Sequence, residues 1–167
     1  MADDNRGDVR ASNALLVSPR KLVDARRRTS IDPVTGAVLA INNYNNEFAG
    51  RIVFLWMNDK KRTVSGDRNT FLGPQGDPRS PAALSYEQLS GRVGAGLDPC
   101  AAVHGQIHLN PLSEHTAIFL FGEAKDVTEA RKLIESFSTV ESVERGYQSC
   151  RDSFEKTFDS IQVKTPD

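Results

Sequence analysis

His104 and His108 are four residues apart. On a helix that spacing turns both imidazoles to one face, as a zinc site requires. The residues around them alternate instead. Ala101, Val103, Gly105, Ile107 and Leu109 fall on one face, and Ala102, His104, Gln106 and His108 on the other. That is the period of a strand. Four strand residues span ~13 Å, too far for two Zn–N bonds of ~2 Å each. The pair is read as solvent-facing histidines, and no metal is expected.

Cys100 follows Pro99 in a glycine-rich loop. As a nucleophile it would need an activating base, and no motif supplies one. Cys150 falls on the apolar stripe of a helix and is read as a small core residue. The stretch Gly91-Arg92-Val93-Gly94-Ala95-Gly96 offers glycines for a phosphate cradle. A dinucleotide-binding glycine turn opens a helix after a strand, whereas here Leu97-Asp98-Pro99 and then a strand follow. There is no Gly-Lys-Ser/Thr P-loop, and no cofactor is expected. Asp59, Asp67, Asp77 and Asp98 could supply paired carboxylates for glycosidic chemistry. Sequence fixes no distance between them, so they are read as solvated loop carboxylates.

The elements that must position these residues are mainly strands. Asp32-Pro33-Val34-Thr35-Gly36 is a turn, Ala37 to Ile41 a strand, and Asn42 to Asn46 a loop. Arg51 to Trp56 is β-branched and aromatic, too short for a helix, and reads as a second strand. Residues 58–100 read as one long Gly/Pro-rich loop, broken by a helical turn near Pro81 to Leu89. Ala101 to Leu109 and Thr116 to Phe121 are expected to pair as a hairpin. The period then becomes helical. Asp126 with Glu129 starts one helix, whose stripe is Val127, Ala130, Leu133, Ile134 and Phe137. Ser138 with Glu141 starts another, striped by Val140, Val143, Tyr147, Cys150, Phe154 and Phe158. Ile161 to Thr165 reads as a last extended piece.

Composition bounds the function. Of 167 residues, 21 are Lys or Arg and 22 Asp or Glu, for a net charge of −1. A whole-surface basic footprint for nucleic acid is excluded. Residues 1–30 are polar and basic, with Arg26-Arg27-Arg28, and are expected to be poorly ordered. They lack the aromatics that a nucleic-acid arm mixes with its charges, and the N-terminus lacks a signal peptide's charged-then-apolar order. The longest uncharged apolar run, Ile52 to Met57, has six residues against the ~20 of a membrane span. The chain is expected to be cytoplasmic, without membrane contact of its own.

Several stretches together resemble one family. They are Asp32-Pro33-Val34-Thr35-Gly36-Ala37-Val38-Leu39-Ala40, Tyr44-Asn45, Glu47-Phe48-Ala49-Gly50-Arg51, Asp67-Arg68-Asn69-Thr70-Phe71-Leu72-Gly73 and Pro81-Ala82-Ala83-Leu84. Most specific is Leu89-Ser90-Gly91-Arg92-Val93-Gly94-Ala95-Gly96-Leu97-Asp98-Pro99-Cys100. In order and spacing these resemble the C-terminal, glycoside-phosphorylase-like region of cyclic β-1,2-glucan synthetases, which is similar to the cellobiose and chitobiose phosphorylases. The resemblance covers roughly residues 31–167.

The resemblance implies a mainly β fold. Residues 31–124 would form the second half of an antiparallel β-sandwich, part of a galactose-mutarotase-like supersandwich. Residues 125–167 would form two linker helices and the terminal extended segment. In that family an (α/α) six-fold barrel carries the catalytic acid, which has no counterpart here, so no catalytic residue is assigned. The implied role is a non-catalytic module whose partners are a β-glucan or a parent enzyme's barrel. Asp67, Arg68, Phe71, Arg92 and Asp98 are the loop residues expected to meet sugar or barrel. Arg presents a planar fork to oxygens, and Phe a face to sugar C–H groups. Arg68 and Arg92 could equally brace the glycine-rich turns. A stand-alone carbohydrate-binding module is the alternative, and self-association through uncovered sheet surface is a further expectation.

Overall fold

A computed structural model describes residues 9–17, 27–42 and 50–159. The strands are β1 (Val9–Val17), β2 (Arg27–Ile31), β3 (Val38–Asn42), β4 (Ile52–Met57), β5 (Thr63–Asp67), β6 (Pro99–Leu109) and β7 (Phe119–Ala124). The helices are α1 (Arg68–Leu72), α2 (Val127–Ser136) and α3 (Val140–Asp159), with a 3-10 turn at Ala82–Ser85. One sheet has the order β1-β6-β5 and the other β2-β3-β4-β7. Every described pairing is antiparallel. The fold is the expected antiparallel β-sandwich with C-terminal helices.

Three apolar layers hold it together. Val38, Leu55 and Met57 from one sheet meet Ala101 and Val103 from the other, and this is the sandwich interior. Ile52, Phe54 and Trp56, the alternate residues of β4, face the opposite way and pack with Leu39, Ala130 and Ile134 under α2. A strand buried on both faces needs a continuous apolar run, which explains Ile52 to Met57. A third cluster, Phe71, Ala83, Leu89 and Ala102, lies where α1 and the 3-10 turn cover the outer face of β6.

That cover corrects the reading of β6. Its residues from Cys100 to Gly105 are all buried, so the alternation seen in sequence is not an in–out alternation there. His104, expected on a solvent face, is 3 % exposed, while His108 is exposed as expected. The expected hairpin is also absent. β6 joins one sheet and β7 the other, and the connection at 110–118 crosses between them. The apolar strand after that turn completes the α2-facing layer through Ile118 and Ala124.

The basic N-terminal stretch supplies two strands. β1 pairs with β6 from Val9↔Leu109 to Val17↔Ala101, and β2 pairs with β3 from Arg27↔Asn42 to Ile31↔Val38. The long 58–100 segment contains β5 and α1 as well as the expected turn. The extended piece expected at 161–165 lies outside the described residues.

The helix expectations hold for α2. Asp126 accepts from Glu129 N at 2.8 Å, and Glu129 Oε2 accepts from Lys125 N at 2.7 Å. At α3 the cap is Thr139 rather than Ser138. Thr139 and Ser142 exchange backbone-to-hydroxyl bonds, each at 3.2 Å. Cys150 is exposed and not a core residue, because α3 buries none of its side chains.

Candidate functional site

The most specific sequence run, Gly91 to Asp98, is a backbone lace between the two sheets. Gly91 N donates to Val64 O at 2.9 Å, and Gly66 N to Arg92 O at 2.7 Å, on the free edge of β5. Two residues on, Thr29 N donates to Gly94 O at 3.2 Å, and Gly94 N to Thr29 Oγ1 at 3.1 Å. Thr29 belongs to β2, so one short loop ties β5 of one sheet to β2 of the other. Gly91, Gly94 and Gly96 hold φ of +67°, +138° and +76°, where a Cβ is strained. The glycines therefore serve the turn. Backbone polar groups at two sheet edges are satisfied by the same segment.

This lace fixes Arg92 over α1. Asp67, at the end of β5, caps α1 and accepts from Asn69 N at 3.2 Å and from Thr70 Oγ1 at 2.6 Å. Its carboxylate also pairs with Arg92 Nη1 at 3.1 Å. The Asp67 side chain is 5 % exposed, while that of Arg92 is 59 % exposed. A buried anion thus holds a surface guanidinium in one place. Nearby, Arg68 N donates to Asp98 O at 2.8 Å, and Arg68 Nη1 lies 3.7 Å from the Asp98 carboxylate.

These residues border an open cleft of about 560 Å³, lined by Asp67, Asn69, Thr70, Arg92, Leu97 and Asp98 among others. Three expected site residues, Asp67, Arg92 and Asp98, line it. Arg68 is not among the lining residues, though it pairs with Asp98, which is. Phe71 is a correction. Expected to present a ring to sugar, it is 3 % exposed and packs with Ala83, Leu89 and Ala102. One turn of helix capped by Asp67 turns position 71 inward onto the sheet. Asn69 and Thr70 line the cleft without having been singled out. The available signal was an Asp followed three residues later by Thr, a pattern that closes a helix cap.

The cleft offers hydrogen-bond donors at Arg92, Asn69 and Thr70 and acceptor oxygens at Asp98. Such a mixture suits a ligand rich in hydroxyl groups. Asp67 already accepts three partners and so contributes placement. Cys100 is 2 % exposed with Sγ 3.9 Å from Ser65 O, and burial pushes its thiol up to about 12. It is a packed side chain with no thiolate at neutral pH. Arg27 and Arg28, from the basic triplet, open β2 opposite Asn42 and Ile41.

The family model for the glycosyl hydrolase 94 supersandwich domain matches residues 23–140. The chain belongs to that family. Among curated proteins it is similar to the cyclic beta-(1,2)-glucan synthase NdvB of Rhizobium meliloti (strain 1021), at 24 % identity over 137 residues. That match covers 81 % of this chain and 5 % of the relative. The supersandwich chain therefore corresponds to a small part of its relative's length. The family match includes β2 to α2 and every residue of the Arg92 cleft. No helix among the described residues is long and apolar enough to cross a membrane.

Proposed function

We propose that this supersandwich chain is a non-catalytic module of a β-glucan-processing glycosyltransferase or glycoside phosphorylase, and that its Arg92 cleft contacts the glucan. The acid and the attacking group would come from a barrel domain packed against it. The observation that carries the reading is the tether between buried Asp67 and exposed Arg92 at the edge of an open polar cleft. A guanidinium held in one orientation loses little freedom on meeting hydroxyl oxygens. The cleft presents polar groups, and Cys100, whose thiol burial keeps protonated, is not among its lining residues. Similarity to a protein named as a cyclic β-(1,2)-glucan synthase supports β-1,2-linked glucose as the sugar.

The test is calorimetric titration of the purified chain with linear β-1,2-glucan, with linear β-1,4-glucan as the control. Saturable heat with the β-1,2-linked polymer, lost in Arg92→Ala, is expected. Absence of heat from the wild-type chain, or equal heat from Arg92→Ala, would overturn the glucan-contact role of the cleft.

A further inference from the structure

One guanidinium joins the β2–β3 turn to the β4–β5 turn. Arg62 donates from Nη1 to Asp59 O at 2.6 Å and from Nη2 to Thr35 O. Trp56 Nε1 donates to the same Thr35 carbonyl at 3.0 Å, and the Trp56 ring centroid lies 5.5 Å from Arg62 Cζ. Gly36 leaves the space for this. A Cβ there would lie 3.4 Å from Arg62 Cζ and closer still to Nη2. The guanidinium is therefore half-buried and held in one place before any ligand arrives. Its hydrogen-bond and ring partners are all neutral. Burial works against its charge, and the carboxylate that counters this is that of Asp59, whose Oδ1 also accepts from Lys61 N at 2.8 Å. No salt bridge among the described residues involves Lys60, Lys61 or Arg62. A half-buried cation held by neutral groups still has charge to satisfy.

Arg62 and Lys60 line an open cleft of about 420 Å³, with the hydroxyls of Thr63 and Ser90 and the apolar side chains of Ile31 and Leu89. No acidic side chain lines it among the described residues, unlike the Arg92 cleft with its Asp67 and Asp98. Thr63 Oγ1 accepts from Leu89 N at 3.0 Å, which leaves its O–H to donate. Ser90 and Gly91 line this cleft, and Arg92 and Gly96 the other, so the inter-sheet lace borders both. We propose that the Arg62 cleft is a phosphate-binding site, in which Arg62, Lys60 and Thr63 hold a phosphate monoester group. The fixed guanidinium offers its remaining N–H groups as a fork, and Lys60 adds a mobile point charge. Two cations and a hydroxyl suit a dianion with three terminal oxygens better than a carboxylate with one charge. A soluble phosphate ester and a phosphatidic acid headgroup both present that group. The site stands apart from the glucan reading of the Arg92 cleft.

The experiment follows backbone amide shifts of the full chain during titration with inorganic phosphate, with chloride at matched ionic strength as the control. Saturable shifts at positions 36, 60–63, 90 and 91 are expected with phosphate and not with chloride. Lys60→Glu, at an exposed position, is expected to weaken binding at least tenfold. Lys132→Glu makes the same change in net charge on the exposed side of α2 and is expected to leave binding within twofold of wild type. Co-sedimentation with phosphatidylcholine vesicles, with and without phosphatidic acid, then identifies the source. Retention only by vesicles that contain phosphatidic acid, released by inorganic phosphate, would make the ligand a lipid headgroup. Phosphate-dependent shifts without retention would make it a soluble ester. Absence of saturable shifts with phosphate, or equal weakening by Lys60→Glu and Lys132→Glu, would overturn the proposal.

Discussion

Arg131 of α2 grips the carboxylate of Asp32 from 99 residues away, with Nη2 at 2.6 Å from Oδ1 and Nε at 3.1 Å from the same oxygen. Asp32 is 2 % exposed and begins the turn between β2 and β3. The same carboxylate accepts from Thr35 N at 2.9 Å and Thr35 Oγ1 at 2.7 Å. The pair clamps the C-terminal helix layer to the sheet it covers.

The Asp32 clamp sets an acid limit on stability. Burial pushes its pKa up, but hydrogen bonds from Arg131 and Thr35 outweigh that and hold it at about 2, below the usual 3.8. The folded state therefore binds this proton less readily than the unfolded chain. Its contribution is complete above pH 3.8 and is lost as pH falls toward 2. Arg131→Met leaves the buried carboxylate without its cation and is expected to lower stability at pH 7. Asp32→Asn is expected to flatten the acid limb. Urea midpoints between pH 5 and pH 2 check both, and an unchanged acid limb in Asp32→Asn would refute the assignment.

His104 adds a second acid sensitivity at higher pH. Its Nε2 is buried and without a hydrogen-bond partner among the described residues, and burial lowers its pKa from 6.5. Protonation thus favours the unfolded chain, so stability holds above pH 6.5 and declines as pH falls below it. The slope has a ceiling of about 1.4 kcal/mol per pH unit. His104→Gln is expected to abolish the decline between pH 6.5 and 5 while leaving the Asp32 limb intact. Chemical denaturation at half-unit pH steps separates the two.

Much of the fold was readable because local pattern and global layer agree. β4 reads as apolar throughout and is buried between two layers, and α2 reads as striped and packs by that stripe. The errors share one physical cause. A strand's alternation shows two faces but not what covers each, so the cover of β6 by α1 and the 3-10 turn was invisible, and with it the burial of Ala102 and Phe71. Alternation also cannot assign a strand to a sheet, which is why β6 and β7 read as a hairpin. For the cleft, Asp67, Arg92 and Asp98 came from resemblance. Their meeting depends on backbone bonds between Gly91, Gly94 and two distant strands, which no local pattern encodes.

Arg92 and Asp67 should separate into binding and stability roles. Arg92→Ala is expected to reduce glucan affinity at least tenfold while lowering stability less than Asp67→Ala does, because the Asp67 carboxylate keeps its bonds to Asn69 and Thr70. Arg92→Lys keeps the charge but loses the fork, and is expected to fall between. Asp67→Ala removes the α1 cap and is expected to cost about 1–2 kcal/mol as well as the affinity. Calorimetry paired with urea unfolding checks this, and equal destabilisation by Arg92→Ala and Asp67→Ala would show that Arg92 is a brace.

Gly66 tests whether the lace, rather than the cleft residues alone, builds the site. It lies in β5, and its missing Cβ leaves room for a neighbouring strand. A methyl there would meet Thr29 Oγ1 and would lie 2.9 Å from Thr29 Cβ and 3.1 Å from Val93 Cγ1. Thr29 is 2 % exposed and bonded to Gly94 in both directions, so it cannot swing aside cheaply. Gly66→Ala is expected to cost about 1–3 kcal/mol by overpacking. Gly76, with open space around it, bears only the strain of its φ of +63° when changed to Ala, a cost expected to be smaller. Hydrogen exchange adds the deciding observation. In Gly66→Ala the amides at positions 66 and 94 are expected to lose protection together, and glucan affinity to fall with them because Arg92 is displaced. Full protection at position 94 with affinity still lost would mean that the cleft is positioned independently of the inter-sheet lace.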